Sequence, residues 1–196
     1  TRNQDVCNNG GTGTGLINGT EGTLYAEIAA LDNDGTYRFI SLKNNTTVDI
    51  IRMGYITTPN RIEIQNYKSG ALFNTFNYEV QDVKNYSKIA FKWKDNDFQL
   101  YINGLNVLSN TSVTAWGSEV FQSLQFDQHN GGNKFHGKTK ALAVWKTALS
   151  DQELADLTYP TPTYPTFSLD FNTIATDFTF ARGSEATYVD AQGLIQ

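Results

Sequence analysis

A short polar loop carries the side chains best suited to contact a ligand. It runs from Asp127 to Asn133 and includes His129 and Asn130. Carboxylate, imidazole and amide groups together offer donors and acceptors that match the hydroxyl groups of a sugar. A zinc site needs more nitrogen or sulfur ligands than this segment supplies. Asp127, His129 and Asn130 are therefore candidate carbohydrate-binding residues, with a solvated loop as the alternative.

Trp116 is the fourth candidate, because the face of an aromatic ring can stack against a sugar. It lies in the sequence Thr114-Ala-Trp-Gly-Ser, between two segments with strand patterns. Burial over a sheet edge is the alternative for this side chain. Trp93 shares the apolar face of a predicted strand, so core packing is expected there.

The acidic residues show no pattern that indicates catalysis. The nearest pairs are Asp32 with Asp34 and Asp95 with Asp97. Each pair falls in a predicted turn, where aspartate is favoured because its side chain bonds the local backbone. The sequence also lacks the Gly-x-Ser-x-Gly motif that presents a serine nucleophile. We expect a protein that is not an enzyme.

The segment 89–108 predicts the kind of element that positions these residues. Apolar and polar residues alternate over 89–94 and again over 98–103, and Asn103-Gly104 follows. Asn-Gly is a strong hairpin signal because a type I′ turn needs two positive φ angles. Strands with one apolar face need a second sheet to cover them. This pattern predicts an antiparallel meander in a two-sheet protein.

Short strand patterns recur along most of the chain. They lie at 23–30, 37–42, 48–53, 61–67, 72–78, 121–126 and 138–145. Regular short strands separated by Gly and Asn turns indicate a sandwich or barrel. The best helix pattern covers 150–157, where Ser150 and Glu153 have the spacing of a capping box.

The composition limits the classes of partner. The 196-residue chain has a net charge of -5 and a sequence pI near 4.9. Without a basic stripe to neutralise phosphates, nucleic acid and anionic membrane are not expected as partners. Cys7 is the only cysteine, which excludes an intrachain disulfide. No stretch is long and apolar enough to span a bilayer.

Composition also predicts the division of the chain. We expect a Gly- and Asn-rich lead-in over 1–20, a folded domain over 21–158, a proline-rich linker over 159–166 and a tail over 167–196. About thirty residues are too few for an independent core. The tail therefore docks on something or begins a further domain.

Two segments stand in an order and spacing that resemble one superfamily. They are Phe98-Gln-Leu-Tyr-Ile-Asn-Gly and Trp145-Lys-Thr-Ala-Leu-Ser-Asp-Gln-Glu-Leu. They are similar to a hairpin and to the closing strand and helical turn of concanavalin A-like domains, in particular laminin G-like and pentraxin-like ones. The resemblance implies an all-β, antiparallel, two-sheet jelly-roll sandwich with one short C-terminal helix. It also implies a core position for Trp145.

The same resemblance bears on metals and on catalysis. In some laminin G-like and pentraxin-like relatives, loop Asp and Asn residues bind calcium, and Asp127 and Asn130 match by residue type. Calcium is thus the one cofactor that the resemblance implies. Glycosidases on this fold carry Glu-x-Asp-x-x-Glu on a strand, which puts the carboxylates on one sheet face. This chain lacks that motif.

The segment 178–195 resembles one that recurs in bacteriophage tail and fibre proteins, through Phe178-Thr-Phe-Ala-Arg and Ala186-Thr-Tyr-Val-Asp-Ala-Gln-Gly-Leu-Ile. The resemblance implies a virion structural protein made in the bacterial cytoplasm and exposed on the particle. Other virion proteins are then partners, and a homotrimer is the expected oligomer. Together the two resemblances predict a non-enzymatic fibre or spike module for host-surface glycan binding. The alternatives are a purely structural capsid, tail or head-fibre domain and, third, a glycan hydrolase.

Overall fold

The computed structural model describes residues 17–44, 48–117 and 121–160, together with the backbone of residues 6–8. These residues belong to the first of two compact units, Thr1–Pro160. The predicted tail 167–196 and most of the predicted linker 159–166 lie outside the described residues. No helix in the described ranges has the length and hydropathy needed to cross a membrane.

The described residues form eleven strands followed by one helix. The strands are β1 (Val6–Asn8), β2 (Glu21–Ala30), β3 (Arg38–Lys43), β4 (Ile50–Tyr55), β5 (Arg61–Lys68), β6 (Ala71–Glu79), β7 (Ser87–Lys94), β8 (Phe98–Ile102), β9 (Leu105–Asn110), β10 (Ser123–Gln125) and β11 (Gly137–Trp145). The helix is α1 (Asp151–Thr158). The predicted strand segments are confirmed, with ends displaced by a few residues.

The strands form two antiparallel sheets. The six-stranded sheet has the order β1-β10-β3-β4-β5-β6, and the five-stranded sheet has the order β11-β2-β7-β8-β9. Neighbouring strands in both sheets pair antiparallel, including the predicted meander β7-β8-β9. The predicted two-sheet antiparallel sandwich with a short C-terminal helix is confirmed.

The core between the sheets is rich in aromatic side chains. Phe91, Trp93 and Phe98 are fully buried there. The predicted core position of Trp93 is therefore confirmed. Its indole Nε1 donates a hydrogen bond of 3.0 Å to the carbonyl oxygen of Asn18, which satisfies the one polar atom of a buried indole.

Some residues of the predicted lead-in 1–20 contact the folded domain. Strand β1 pairs with β10, and Ile17 is buried in the core. The carbonyl oxygen of Gly19 accepts a hydrogen bond of 3.1 Å from the backbone N–H of Trp116. The described residues of this segment therefore find partners distant in sequence, at the edge of β10 and at the backbone of the buried Trp116.

Helix α1 covers the outer face of the five-stranded sheet. The backbone N–H of Glu153 donates to the Ser150 hydroxyl at 3.3 Å, and the backbone N–H of Ser150 donates to the Glu153 carboxylate at 2.8 Å. The predicted capping box is thus confirmed. Leu154 is buried against Tyr25 and Tyr101, so the helix adds a second, smaller apolar cluster.

Trp145 belongs to that smaller cluster and not to the core between the sheets. Ala143 and Trp145 pair with Tyr25 and Thr23, so all four side chains share the outer face. The rings of Trp145 and Tyr25 pack edge to face, 6.5 Å apart. Trp145 thus packs in an apolar cluster, as predicted, but in the one on the outer face, because the register of β11 turns this side chain toward α1.

Gly54 in β4 lies where a side chain has no room. A Cβ atom there would overlap the carbonyl oxygen of Arg38 on the neighbouring strand. We expect Gly54→Ala to lower the free energy of unfolding by about 1–3 kcal/mol, because backbone atoms must move. Urea denaturation checks this value. Gly132→Ala is the control, since its Cβ would meet only the ends of the flexible Asn130 and Gln128 side chains. Equal losses in both variants would contradict the argument.

Candidate functional site

The polar loop 127–133 lies against the outer face of the six-stranded sheet, the face turned away from the other sheet. Lys43 and Arg52 alternate with the core residues Leu42 and Ile51, so both project from this outer face. The Lys43 ammonium donates a hydrogen bond of 3.3 Å to the carbonyl oxygen of His129. The loop and two strands therefore meet at His129.

Asp127 and Asn130 build the loop. The Asp127 carboxylate accepts a 2.6 Å hydrogen bond from the backbone N–H of His129, and Asp127 is buried. The Asn130 side-chain oxygen accepts hydrogen bonds from the Gly132 N–H at 3.0 Å and from the Gln128 amide at 3.1 Å. Such side-chain to backbone bonds are the usual reason for Asp and Asn in turns.

The calcium hypothesis gains no support from this geometry. The described residues contain no group of three or more His, Cys, Asp or Glu side chains that could hold a metal ion. The Oδ1 atoms of Asp127 and Asn130 each bond a backbone N–H of the loop. A calcium site needs six to eight converging oxygen atoms. Calcium binding by these two residues stays a prediction.

His129 occupies the centre of the candidate site. Its Nδ1 atom is 2.7 Å from Nη2 of Arg52. Because a guanidinium only donates, Nδ1 is the acceptor and this nitrogen is unprotonated. Burial, followed by the charges of Arg52 and Lys43, lowers the pKa of His129, while Asp127 raises it. The backbone of His129 has φ 93°, a conformation uncommon for a residue with a side chain.

Arg52 connects the loop to the neighbouring strand β5. Its Nη1 atom donates to the Gln65 side-chain oxygen at 3.1 Å and to the Tyr67 hydroxyl at 3.2 Å. The guanidinium also lies 4.4 Å from the centroid of the Tyr67 ring, a cation–π contact. Burial lowers the pKa of Arg52, and Tyr67 and Glu63 oppose that effect. The guanidinium stays charged, since arginine does not lose its proton in proteins.

The strand register places more polar side chains beside Arg52. Ser41, Arg52, Gln65 and Thr75 are successive cross-strand partners, so they form one row on the outer face. Thr75 is exposed, and its hydroxyl donates a hydrogen bond of 3.1 Å to the carboxylate of the buried Glu63. This face therefore combines hydroxyl, amide, guanidinium and phenol groups, which can bind and orient a polyhydroxyl ligand.

Trp116 lies elsewhere and offers no ring face to a ligand. It is 2% exposed. Its ring stacks on Phe98 at 5.9 Å and packs edge to face against Phe73 and Phe121, each at 5.2 Å. Its Nε1 donates to the carbonyl oxygen of Tyr67 at 2.6 Å. The prediction of a sugar-stacking platform is wrong, and the alternative of burial at the sheet edge is confirmed.

The structure thus divides the four predicted site residues. His129 contacts the polar outer face, Asp127 and Asn130 shape its loop, and Trp116 belongs to the core. Arg52 and Tyr67 were missed. Period-two alternation was the available signal, because Arg52 stands between the apolar Ile51 and Met53 and must face away from the core. What alternation does not show is that loop 127–133 closes on this residue.

The two-sheet antiparallel sandwich with its C-terminal helix belongs to a lectin-like fold class. A sequence profile described as the concanavalin A-like lectin/glucanases superfamily, laminin G type, matches residues 8–155. The chain belongs to this superfamily. A comparison with curated protein sequences found no match.

Solved structures share the fold at low sequence identity. A heptameric SAP-like pentraxin from Limulus polyphemus is 15% identical, with a TM-score of 0.57 over 73% of this chain and 71% of the other. The CBM40 domain of the Ruminococcus gnavus IT-sialidase, solved with α2,3-sialyllactose, is 12% identical, with a TM-score of 0.60 over 79% and 92%. The leech intramolecular trans-sialidase is 16% identical, with a TM-score of 0.61 over 81% of this chain and 26% of that longer protein.

Proposed function

We propose that this domain is a non-catalytic glycan-binding module that contacts sugars through the outer face of its six-stranded sheet. One observation carries the proposal: Arg52, Gln65, Tyr67 and His129 converge on that face through hydrogen bonds between strand and loop. Sugar recognition needs several fixed donors and acceptors beside an aromatic ring, and this cluster supplies both. The CBM40 relative, which has the same fold, was solved with a bound sialylated sugar.

The cluster is suited to shallow recognition. Arg52, Gln65 and Tyr67 are partly buried and hold one another, while Thr75 and Asn77 on the adjacent strand are exposed. Few side chains therefore need to be ordered when a sugar binds, and this keeps the entropic cost of binding low. A small set of contacts on an open sheet face gives weak affinity for each copy of the module. Several copies on one particle would raise the apparent affinity through avidity.

We further propose that the module belongs to a bacteriophage fibre or spike, where it attaches the particle to host-surface glycan. The resemblance of residues 178–195 to phage tail and fibre proteins supports this placement. A homotrimeric appendage assembled with other virion proteins follows from the same resemblance. The placement is tested by electron microscopy of particles labelled with an antibody against residues 21–158, where label at an appendage is the expected result.

The binding proposal predicts a specific loss in Arg52→Gln. Gln keeps a polar side chain but removes the charge and the three-way hydrogen bonding of the guanidinium. We expect affinity for the bound glycan to fall by about tenfold or more, the usual consequence of losing a charge-assisted hydrogen bond. A glycan array with the multivalent protein identifies the glycan, and calorimetry with the purified sugar measures the loss.

Arg61→Gln is the matched control for this test. Arg61 lies on the adjacent strand β5 and pairs with the exposed Glu79 at 3.3 Å, away from the loop. The Arg61→Gln variant is expected to keep the glycan affinity and the melting temperature of the native protein. If no glycan is bound by the native protein, the purely structural virion role replaces the proposal. Release of reducing sugar from a bound glycan would instead support the glycan hydrolase.

A further inference from the structure

We propose that the outer-face site selects glycans that carry a carboxylate, and that His129 occupies the position of this carboxylate on Arg52 in the free protein. The inference rests on the proposed glycan-binding function and names the ligand class of the same site. It also assigns His129 as the residue that the ligand displaces.

The first support is the set of partners around Arg52. All of its hydrogen-bond acceptors are neutral: an amide oxygen, a phenol and an imidazole nitrogen. Among the ion pairs found in the described residues, none includes Arg52. A partly buried cation is stabilised far more by an anion than by neutral dipoles. Within the described residues, Arg52 therefore has no carboxylate oxygen at ion-pair distance.

The second support is the edge of the Arg52 guanidinium that Gln65 and Tyr67 leave unused. Gln65 and Tyr67 both use Nη1. On the other edge, Nη2 meets only His129, and the buried Nε has no hydrogen-bond partner in the described part of the chain. Nε and Nη2 form the fork that binds the two oxygens of a carboxylate with parallel hydrogen bonds. A single imidazole nitrogen satisfies only half of this fork.

The third support is that a second cation, the Lys43 ammonium, also contacts His129. The Lys43 ammonium donates to the His129 carbonyl oxygen, so two positive charges share a neutral residue. Asp127, the acidic residue of the loop, accepts a hydrogen bond from the backbone N–H of His129. Glu63 influences Arg52 electrostatically but accepts a hydrogen bond from Thr75. An incoming carboxylate would therefore supply a counterion that the described part of the site does not place on Arg52.

The proposed exchange takes place at the His129 side chain. The His129 side chain leaves Arg52, the carboxylate takes both Nε and Nη2, and the loop keeps its Asp127 and Asn130 hydrogen bonds. Binding then exchanges one neutral acceptor for a bidentate ion pair. Removal of the imidazole should accordingly favour the ligand, whereas removal of the guanidinium should abolish the preference for acid.

The experiment compares matched glycans on one array. Each carboxylated oligosaccharide is printed beside its amide, with neutral and sulfated oligosaccharides present, and the best pair is then measured by calorimetry. We expect the acid to bind about tenfold or more tighter than its amide. We expect His129→Ala to bind the acid about fivefold tighter, the equivalent of one neutral hydrogen bond. Arg52→Gln should bind acid and amide equally.

Any other outcome contradicts the carboxylate inference, the displacement of His129 or the proposed function. Equal binding of acid and amide by the native protein, or a preference for sulfated sugars, overturns the carboxylate inference and leaves glycan binding intact. Weaker binding by a folded His129→Ala variant shows that His129 contacts the ligand, and it overturns the displacement. Absence of binding to every glycan overturns the proposed function and the inference together. Arg61→Gln should retain the native preference in all cases.

Discussion

Replacement of both carboxylates that pair with Lys92 is expected to destabilise the domain by on the order of 3 kcal/mol. Lys92 is 3% exposed, and its ammonium lies 2.9 Å from Asp97 and 2.9 Å from Asp151. The double variant Asp97→Asn with Asp151→Asn keeps the shapes of both partners but leaves a buried cation without an anion. Urea denaturation of the native and variant proteins measures the loss.

The matched control is Lys92→Met, which we expect to cost less than about 1.5 kcal/mol. Methionine fills the buried channel of the lysine stem without a charge. The two carboxylates left behind are partly exposed, at 37% and 65% of their side-chain surface, so water solvates them. A larger loss for Lys92→Met than for the double variant would show that packing of the stem, and not charge, holds helix α1 on the sheet.

The same ion pairs give stability a dependence on pH. The hydrogen bond from Lys92 lowers the pKa of Asp151 below its usual value of 3.8. A group whose folded pKa is depressed stabilises the protein above its unfolded pKa, and this contribution disappears as the pH falls through the folded value. Burial disfavours the charged form of Lys92, but the hydrogen bonds that its ammonium donates to Asp97 and Asp151 outweigh burial and raise its pKa. That contribution is lost only as the pH rises through the folded pKa of Lys92.

Acid unfolding tests whether this contribution to stability is lost as the pH falls. The native protein should lose stability between about pH 5 and pH 2, and the double variant should lose less over the same interval, because part of the effect is already gone. Parallel curves for the two proteins would contradict the assignment of the Asp151 pKa to Lys92.

Trp116→Ala is expected to lower the free energy of unfolding by about 3–5 kcal/mol, the second large effect on stability. The ring packs against Phe73, Phe98 and Phe121 and donates to the Tyr67 carbonyl oxygen. The substitution removes these contacts, leaves a cavity and removes the donor to the Tyr67 carbonyl oxygen. Thermal and urea unfolding give the magnitude.

Trp116→Phe distinguishes a core residue from a ligand residue. Phenylalanine keeps an aromatic ring in the cluster and loses only part of the volume and the Nε1 hydrogen bond, so a smaller loss of stability is expected. Glycan affinity of this variant should equal that of the native protein at a temperature where both are folded. A drop in affinity without a drop in melting temperature would return Trp116 to the binding site.

The fold could be predicted well because its signals are local. Alternation of apolar and polar residues sets one face of each strand, and Asn103-Gly104 and Ser150 with Glu153 mark a hairpin and a helix start by chemistry within a few residues. The pairing of strand β1 could not be predicted, because it depends on the free edge of β10, more than a hundred residues away in sequence. The cluster in which Trp145 packs could not be predicted, because helix α1 lies over that face of the sheet.

The candidate site shows the same division. The sequence by itself determined a two-sheet sandwich and a polar loop with His129, because strand alternation and turn chemistry are properties of neighbouring residues. Only the tertiary structure decided that this loop meets Arg52 on the outer face, that Trp116 is buried, and that Lys92 is paired. Arg52 and His129 are 77 positions apart in the chain, and Lys92 and Asp151 are 59 positions apart. The formation of these contacts depends on how the two sheets and their connections pack, which no local pattern encodes.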